Sequence, residues 1–95
     1  MTYEIILAPE AVEDLRHLKA NVRAEVKDAI LRHLRHEPKK TSKARIKRLR
    51  GLARPQFRLR VVDVRVFYDV VGREVHVLAI VSKAAVEKWL ERAGE

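Results

Sequence analysis

The 95-residue sequence predicts an α+β fold, a small antiparallel-rich sheet with an N-terminal helical hairpin packed on one face and a short C-terminal helix, in the order β-α-α-β-β-β-α. Three observations predict it. Apolar residues recur at helical spacing through the first half of the chain, they alternate through the second half, and the spacing becomes helical again after Ser82.

Each element has its own local reason. Residues 2–8 read as a first strand, and Pro9 opens a helix at a position where its missing N–H is no loss. Val12, Leu15 and Leu18 fall on one face of that helix, while Glu10, Glu13 and Asp14 suit the positive end of its dipole. Asn21 is a candidate cap for a second helix, whose stripe is Val22, Val26, Ile30 and Leu34, four residues apart. Pro38 ends it or lies just beyond its end. The short link from Leu18 to Val22 folds the two helices into an antiparallel hairpin. Each helix alone is marginal in water, so both stripes need a sheet to rest on.

That sheet is expected from three later strands. Phe57, Leu59 and Val61 alternate with Arg58, Arg60 and Val62; Val64, Val66, Tyr68 and Val70 alternate with Arg65, Phe67 and Asp69. Val75, Val77, Ala79 and Val81 alternate with His76, Leu78 and Ile80. Turns at Asp63 and at Val71-Gly72-Arg73-Glu74 join them into a meander. Both parities of the last strand are apolar, so it is expected inside the sheet with both faces covered. Val86, Trp89, Leu90 and Ala93 then mark the C-terminal helix, with Ser82 as its natural cap. The length suits one domain over residues 1–95.

The charge is concentrated. The net charge is +8, yet residues 1–38 carry 6 Lys/Arg against 7 Asp/Glu, and residues 61–95 carry 5 against 6. Residues 39–60 hold ten cations and no acid. Solubility needs no such concentration, whereas a phosphate-binding face does. Lys43, Arg45, Lys47, Arg48 and Arg50 are the expected RNA contacts within it. With five aromatics in the chain, a sheet of stacked bases is not expected. The chain has no cysteine, which favours a cytoplasmic setting, and neither an export signal nor an apolar run long enough for a membrane is visible. His33 and His36 stand at i, i+3 beside Glu37, but a third metal ligand is missing, so they read as a solvated helix face. No metal and no cofactor are expected.

Taken in order, Ile46-Lys47-Arg48-Leu49-Arg50-Gly51, Gln56-Phe57-Arg58-Leu59-Arg60-Val61, Val64-Arg65-Val66-Phe67-Tyr68, and a last strand ending in a basic residue resemble the RelE/ParE superfamily of bacterial and archaeal toxins. The resemblance covers nearly the whole chain. It implies the toxin of a type II toxin-antitoxin system, a ribosome-dependent endoribonuclease that cuts mRNA without a metal and inhibits translation. It also implies a cognate antitoxin, acidic or with a C-terminal wrapping segment, and the ribosome as partners. Another branch of the superfamily poisons DNA gyrase without nuclease chemistry, and a plain RNA-binding module is a third reading.

Under the nuclease reading, Arg58, Arg60 and Arg65 hold the phosphate, since alternate strand residues share a face and Arg65 follows across a tight turn. Arginine is effectively never deprotonated, so these are charge stabilisers and not bases. Lys83 matches the basic residue that relatives place after the last strand. Glu87 stands where cleaving relatives often carry tyrosine, which leaves the proton-transfer role to Lys83 or Glu87.

Overall fold

The computed structural model describes residues 2–51 and 54–93. Strand β1 (Glu4–Leu7) leads into α1 (Pro9–Arg16) and α2 (Ala20–Ala29), which runs on into a π-helical turn, Ile30–Leu34. Strands β2 (Ile46–Arg48), β3 (Phe57–Val61), β4 (Val64–Val71) and β5 (Glu74–Ser82) follow. A 3-10 turn, Lys83–Ala85, then leads into α3 (Val86–Ala93). The expected order holds, with β2 as an unanticipated addition. A three-residue strand, two of them exposed cations, has no apolar alternation to betray it.

The five strands form one sheet in the order β1-β5-β4-β3-β2. Neighbours β2 to β5 are antiparallel, and β5, reached through the helices and β2 to β4, lies parallel to β1. Helix packing explains why both helices lie together on one face. Ala11 and Leu15 of α1, Val26 of α2 and Ile30 and Leu34 of the π turn are buried against Leu59, Val66, Tyr68, Val75 and Val77. Val12 is a correction to the expected stripe. It is 41% exposed, because Ala11, Leu15 and Leu18 form the inward line instead.

Local contacts fix the hairpin. Arg23 of α2 donates to the carbonyls of Leu15, Arg16 and Leu18 at 3.2, 3.2 and 2.9 Å, tying α2 to the end of α1 and the link that follows it. The cap of α2 is Lys19, with no side-chain hydrogen bond, and Asn21 lies inside the helix. Ser82 precedes the 3-10 turn with extended backbone and likewise makes no side-chain cap bond. Both expected caps therefore fail, because packing sets these helix starts.

A β-bulge corrects the alternation of β5. Phe67 pairs with Ala79 but Tyr68 pairs with Val77, so Leu78 is an extra residue on the β5 side. Val75, Val77 and Ile80 consequently face the hairpin, while Ala79 and Val81 face the other way. This is why both parities are apolar and why β5 is covered on both faces. Past Val77, β5 has no β1 neighbour, and Asp14 of α1 accepts the Ile80 N–H at 2.9 Å in its place.

The second face has a smaller apolar cluster. Phe67, Ala79 and Val81 carry Leu49 and the α3 residues Val86, Trp89 and Leu90, with Phe67 and Trp89 stacked at 4.7 Å. Trp89 Nε1 also donates to Glu10 at 2.7 Å, tying α3 back to α1. Helix α3 therefore covers the β4 and β5 columns, and the β2 and β3 columns of this face are left to other side chains. Among the described residues no helix is long and apolar enough to cross a membrane.

Candidate nucleic-acid interface

The uncovered part of the second face carries the basic residues. Directly paired residues of neighbouring strands share a face. Lys47, Arg58 and Phe67 are successive partners across β2, β3 and β4, and Arg60, Arg65 and Val81 form the next row across β3, β4 and β5. Phe67 and Val81 lie under α3, so Lys47, Arg58, Arg60 and Arg65 all lie on the α3 side of the sheet. Helix α3 forms a wall, and the arginines cover the adjoining floor.

Their environments differ. Arg60 and Lys47 are exposed, Arg58 is half-buried, and Arg65 is 7% exposed. Arg65 is anchored, its Nη1 donating to the carbonyls of Val62 and Val64 at 3.0 and 3.1 Å. Val62 lies in the β3–β4 turn, where it takes a φ of 53°, and Val64 opens β4. The guanidinium is therefore held at the turn, with one terminal nitrogen occupied.

Arg58 carries the clearest sign of an unfilled site. Its Nε is buried and lacks a hydrogen-bond partner among the described residues. Burial, then the charges of Arg65 and Arg60, lower its pKa from the usual guanidinium value, although it stays charged at any physiological pH. Three cations thus press on one another with no carboxylate between them. Like charges opposed across strands destabilise a sheet, typically by about 0.2–1 kcal/mol, so this arrangement costs stability until an anion arrives. The same cationic set repels a divalent metal ion. Among the described residues no group of three His, Cys, Asp or Glu side chains is placed to hold a metal ion.

The remaining expected site residues are placed less uniformly. Lys83 is exposed at the end of β5, its N–H donating to the Asp63 carbonyl at 2.7 Å, so the β3–β4 turn and the end of β5 meet there. Glu87 is exposed in the first turn of α3, and among the described residues it has no hydrogen bond or ion pair with the arginines. Arg48 pairs with Phe57, a hairpin-face residue, and its guanidinium lies 5.0 Å over that ring. It therefore stands on the opposite side from Lys47 and Arg58. Lys43 and Arg45 precede β2 and Arg50 follows it, all exposed. The ten-cation segment wraps the β2 edge and does not present a single plane. No signal in the sequence separates Lys47 from Arg48, because the pairing of β2 decides their faces.

Two adjacent residues of β4 hold points before and within this segment. Tyr68 Oη donates to the Pro38 carbonyl at 2.6 Å, and burial pushes the phenol pKa well above its usual value. Asp69 accepts Arg54 Nε and the Gln56 N–H, both at 2.7 Å, and Gln56 in turn accepts the Val70 N–H at 2.9 Å. Pro38 on one side and Arg54 and Gln56 on the other are thus tied to β4.

A family model for the ParE toxin of type II toxin-antitoxin systems matches residues 5–86. The chain belongs to this toxin family. No curated protein sequence matches it. Its fold is similar to that of several solved toxins. The RelBE2 toxin-antitoxin complex from Mycobacterium tuberculosis aligns with a TM-score of 0.75 at 23% identity, over 86% of this chain and 99% of that one. A mutant of the E. coli RelE toxin in the free state gives 0.72 at 21% identity, over 99% and 95%. The RelB-RelE complex from Methanococcus jannaschii gives 0.70 at 20% identity, over 88% and 96%. At these identities the likeness establishes the RelE-like fold. The basic, Gly-containing and arginine-bearing segments of this chain therefore sit on that fold.

Proposed function

We propose that this toxin is a ribosome-dependent, metal-independent mRNA endoribonuclease that inhibits translation and is silenced by a cognate antitoxin. The single observation that carries the reading is the Arg58–Arg60–Arg65 cluster, cationic throughout, with Arg58 Nε buried and without a hydrogen-bond partner among the described residues. In cleavage by transesterification the 2′-hydroxyl attacks the adjacent phosphorus and the bond to the leaving 5′-oxygen breaks. One proton leaves the 2′-oxygen and one reaches the 5′-oxygen. The phosphorane gains negative charge, and fixed guanidiniums are suited to hold it. Arg58 and Arg60 are the phosphate-holding pair, and Arg65, anchored at the turn, sets the floor beneath them. None of the three handles a proton, so that role goes to Lys83, to Glu87 in place of the family's tyrosine, or to the ribosome.

The antitoxin is proposed on the same surface. A cationic face left without acids favours an acidic partner, which would associate quickly and block the substrate at once. Antitoxins accompany the similar toxins in the M. tuberculosis and M. jannaschii complexes.

A second reading is inhibition of DNA gyrase without nuclease chemistry. The match to a ParE model favours it. Cell-free translation with added protein separates the two, with message integrity read by primer extension. Fixed cuts in ribosome-bound message support the nuclease, and Arg58→Ala should slow cutting by about 10²–10³-fold with ribosome binding less affected. Intact message together with stalled gyrase-dependent replication would overturn it in favour of the second reading.

A further inference from the structure

The hairpin side of the β2 edge holds a second basic cleft, of about 190 Å³, between the π turn and the loop that leads into β2. Arg32, His33, His36, Lys40, Ser42 and Arg45 are among its lining residues. It lies apart from the arginine floor, because its inner wall is Ile46, which is buried in the hairpin-side core. We propose that this cleft is a second oxyanion subsite, taking a ligand of the phosphate class, in which His33 and Arg45 bind the anion across the cleft from each other.

The charge arrangement supports an anion. Arg32 is paired with Asp28 at 2.9 Å, and Lys40 with Glu37 at 3.5 Å. Those pairs consume the nearby carboxylates. Arg45 has no carboxylate within ion-pair distance among the described residues, and neither histidine ring has a hydrogen-bond partner there. The loop is also preformed. Ser42 Oγ accepts the N–H groups of Arg45 and Ile46 at 3.0 and 3.2 Å, and the Ser42 N–H donates to the Ile46 carbonyl at 2.9 Å. With its oxygen accepting twice, the Ser42 hydroxyl retains its own proton to donate. The π turn fixes the other wall, and the Glu37 N–H bonds back to the His33 carbonyl at 3.1 Å. Such turns are frequent at functional sites.

Protonation of His33 is linked to the ligand. Burial, then the charges of Arg45 and Arg32, lower its pKa below 6.5, while Asp28 opposes them. The other charged or titratable groups at the cleft are His36, Glu37 and Lys40. An entering anion offsets the cations, so the bound state favours protonated His33, whose ring N–H then donates to the ligand. Binding takes up a proton, and affinity therefore rises as pH falls, by at most about tenfold per pH unit for one coupled group.

The test uses the intact chain and sulfate, an anion whose charge is constant in this range. Histidine ring signals are followed by NMR from about pH 8 to about pH 5. Saturable movement of the His33 signals, a raised His33 midpoint and tighter binding at low pH are expected. Arg45→Gln should weaken sulfate by about three- to tenfold, and His33→Gln should leave binding weaker and less dependent on pH. Phosphate can reach the cleft as a free ion or as the backbone of RNA passing the β2 edge. Displacement of sulfate by a short single-stranded oligoribonucleotide identifies the phosphodiester, and displacement by inorganic phosphate alone identifies the free ion. Unmoved His33 signals, an unchanged response in Arg45→Gln, or failure of both competitors would overturn the subsite. No cleavage is measured, so the outcome is independent of the nuclease reading.

Discussion

Replacing Tyr68 by phenylalanine removes one oxygen from the centre of the fold and tests how the basic segment is held. The ring is fully buried and stacks on Phe57 at 5.4 Å, and Phe at this position retains both the burial and the stacking. What is lost is the 2.6 Å hydrogen bond to the carbonyl of Pro38, itself a buried residue. A buried acceptor left unpartnered costs about 1–3 kcal/mol. For a domain of this size each kcal/mol lowers the melting temperature by about 4–8 °C, so a central loss of about 2 kcal/mol predicts a fall of about 8–16 °C. Urea unfolding should show a lower midpoint with an unchanged slope, since the same surface is exposed in both proteins. The pH dependence provides a second check. Burial raises the folded-state pKa of Tyr68 above 10.0, so the folded protein holds this proton more tightly than the unfolded chain. The contribution is intact below pH 10.0 and is lost as pH rises from there towards the folded value, at up to about 1.4 kcal/mol per pH unit. Tyr68→Phe should lack this alkaline decline. A loss under about 0.5 kcal/mol, or the same alkaline decline in both proteins, would refute the anchoring role.

Three further perturbations follow from the same contacts. Asp69→Ala should destabilise by about 1–3 kcal/mol because it strips two donors of a buried acceptor, while Arg54→Ala should cost under about 1 kcal/mol because that guanidinium is 65% exposed; equal losses in chemical denaturation would contradict this ranking. Asp14 has a pKa raised above 3.8, by burial first, so its contribution is greatest below that pH and is lost as pH rises through the folded value. Asp14→Asn can still accept the Ile80 N–H and should be the more stable protein at neutral pH, with the advantage gone in acid, as read by melting temperature against pH. Val62 has a φ of 53° and is 61% exposed, so Val62→Asn relieves a β-branched side chain of left-handed backbone at little packing loss; a gain of about 0.5–1 kcal/mol is expected, and a loss of stability would count against strain at this turn.

Much of the fold was legible because local and tertiary preferences agree. Leu15, Val26, Ile30 and Leu34 repeat at helical spacing and are buried at that spacing. The alternation of Phe57, Leu59, Val61, Val64 and Val66 likewise marks one sheet face. The exceptions share a cause. Val12 looks like part of a stripe, but smaller Ala11 fits closer to the sheet. Asn21 and Ser82 are good caps by type, yet the helices start where the hairpin and the end of β5 place them. Leu78 breaks the alternation of β5 through a bulge, and bulges depend on what the neighbouring strand pairs with.

The same division runs through the candidate site. Residue order alone fixes the inventory: ten cations without an acid in residues 39–60, Arg58 and Arg60 on one strand face, and Arg65 directly after the turn. Spacing along a chain specifies which side chains share a face, since that depends only on backbone geometry. Which face is open was decided by the tertiary structure. Helix α3 settles on Phe67, Ala79 and Val81, leaves the β2 and β3 columns with Lys47, Arg58 and Arg60 uncovered, and keeps Arg65 buried beside them; β2 pairs with β3 in a register that sends Lys47 to that floor and Arg48 onto Phe57. The cleft at His33 belongs to the same class, because its walls come from the π turn and a loop that meet only when β2 docks. Burial, pairing and convergence of charge are relations between distant segments, so they come into being when those segments pack.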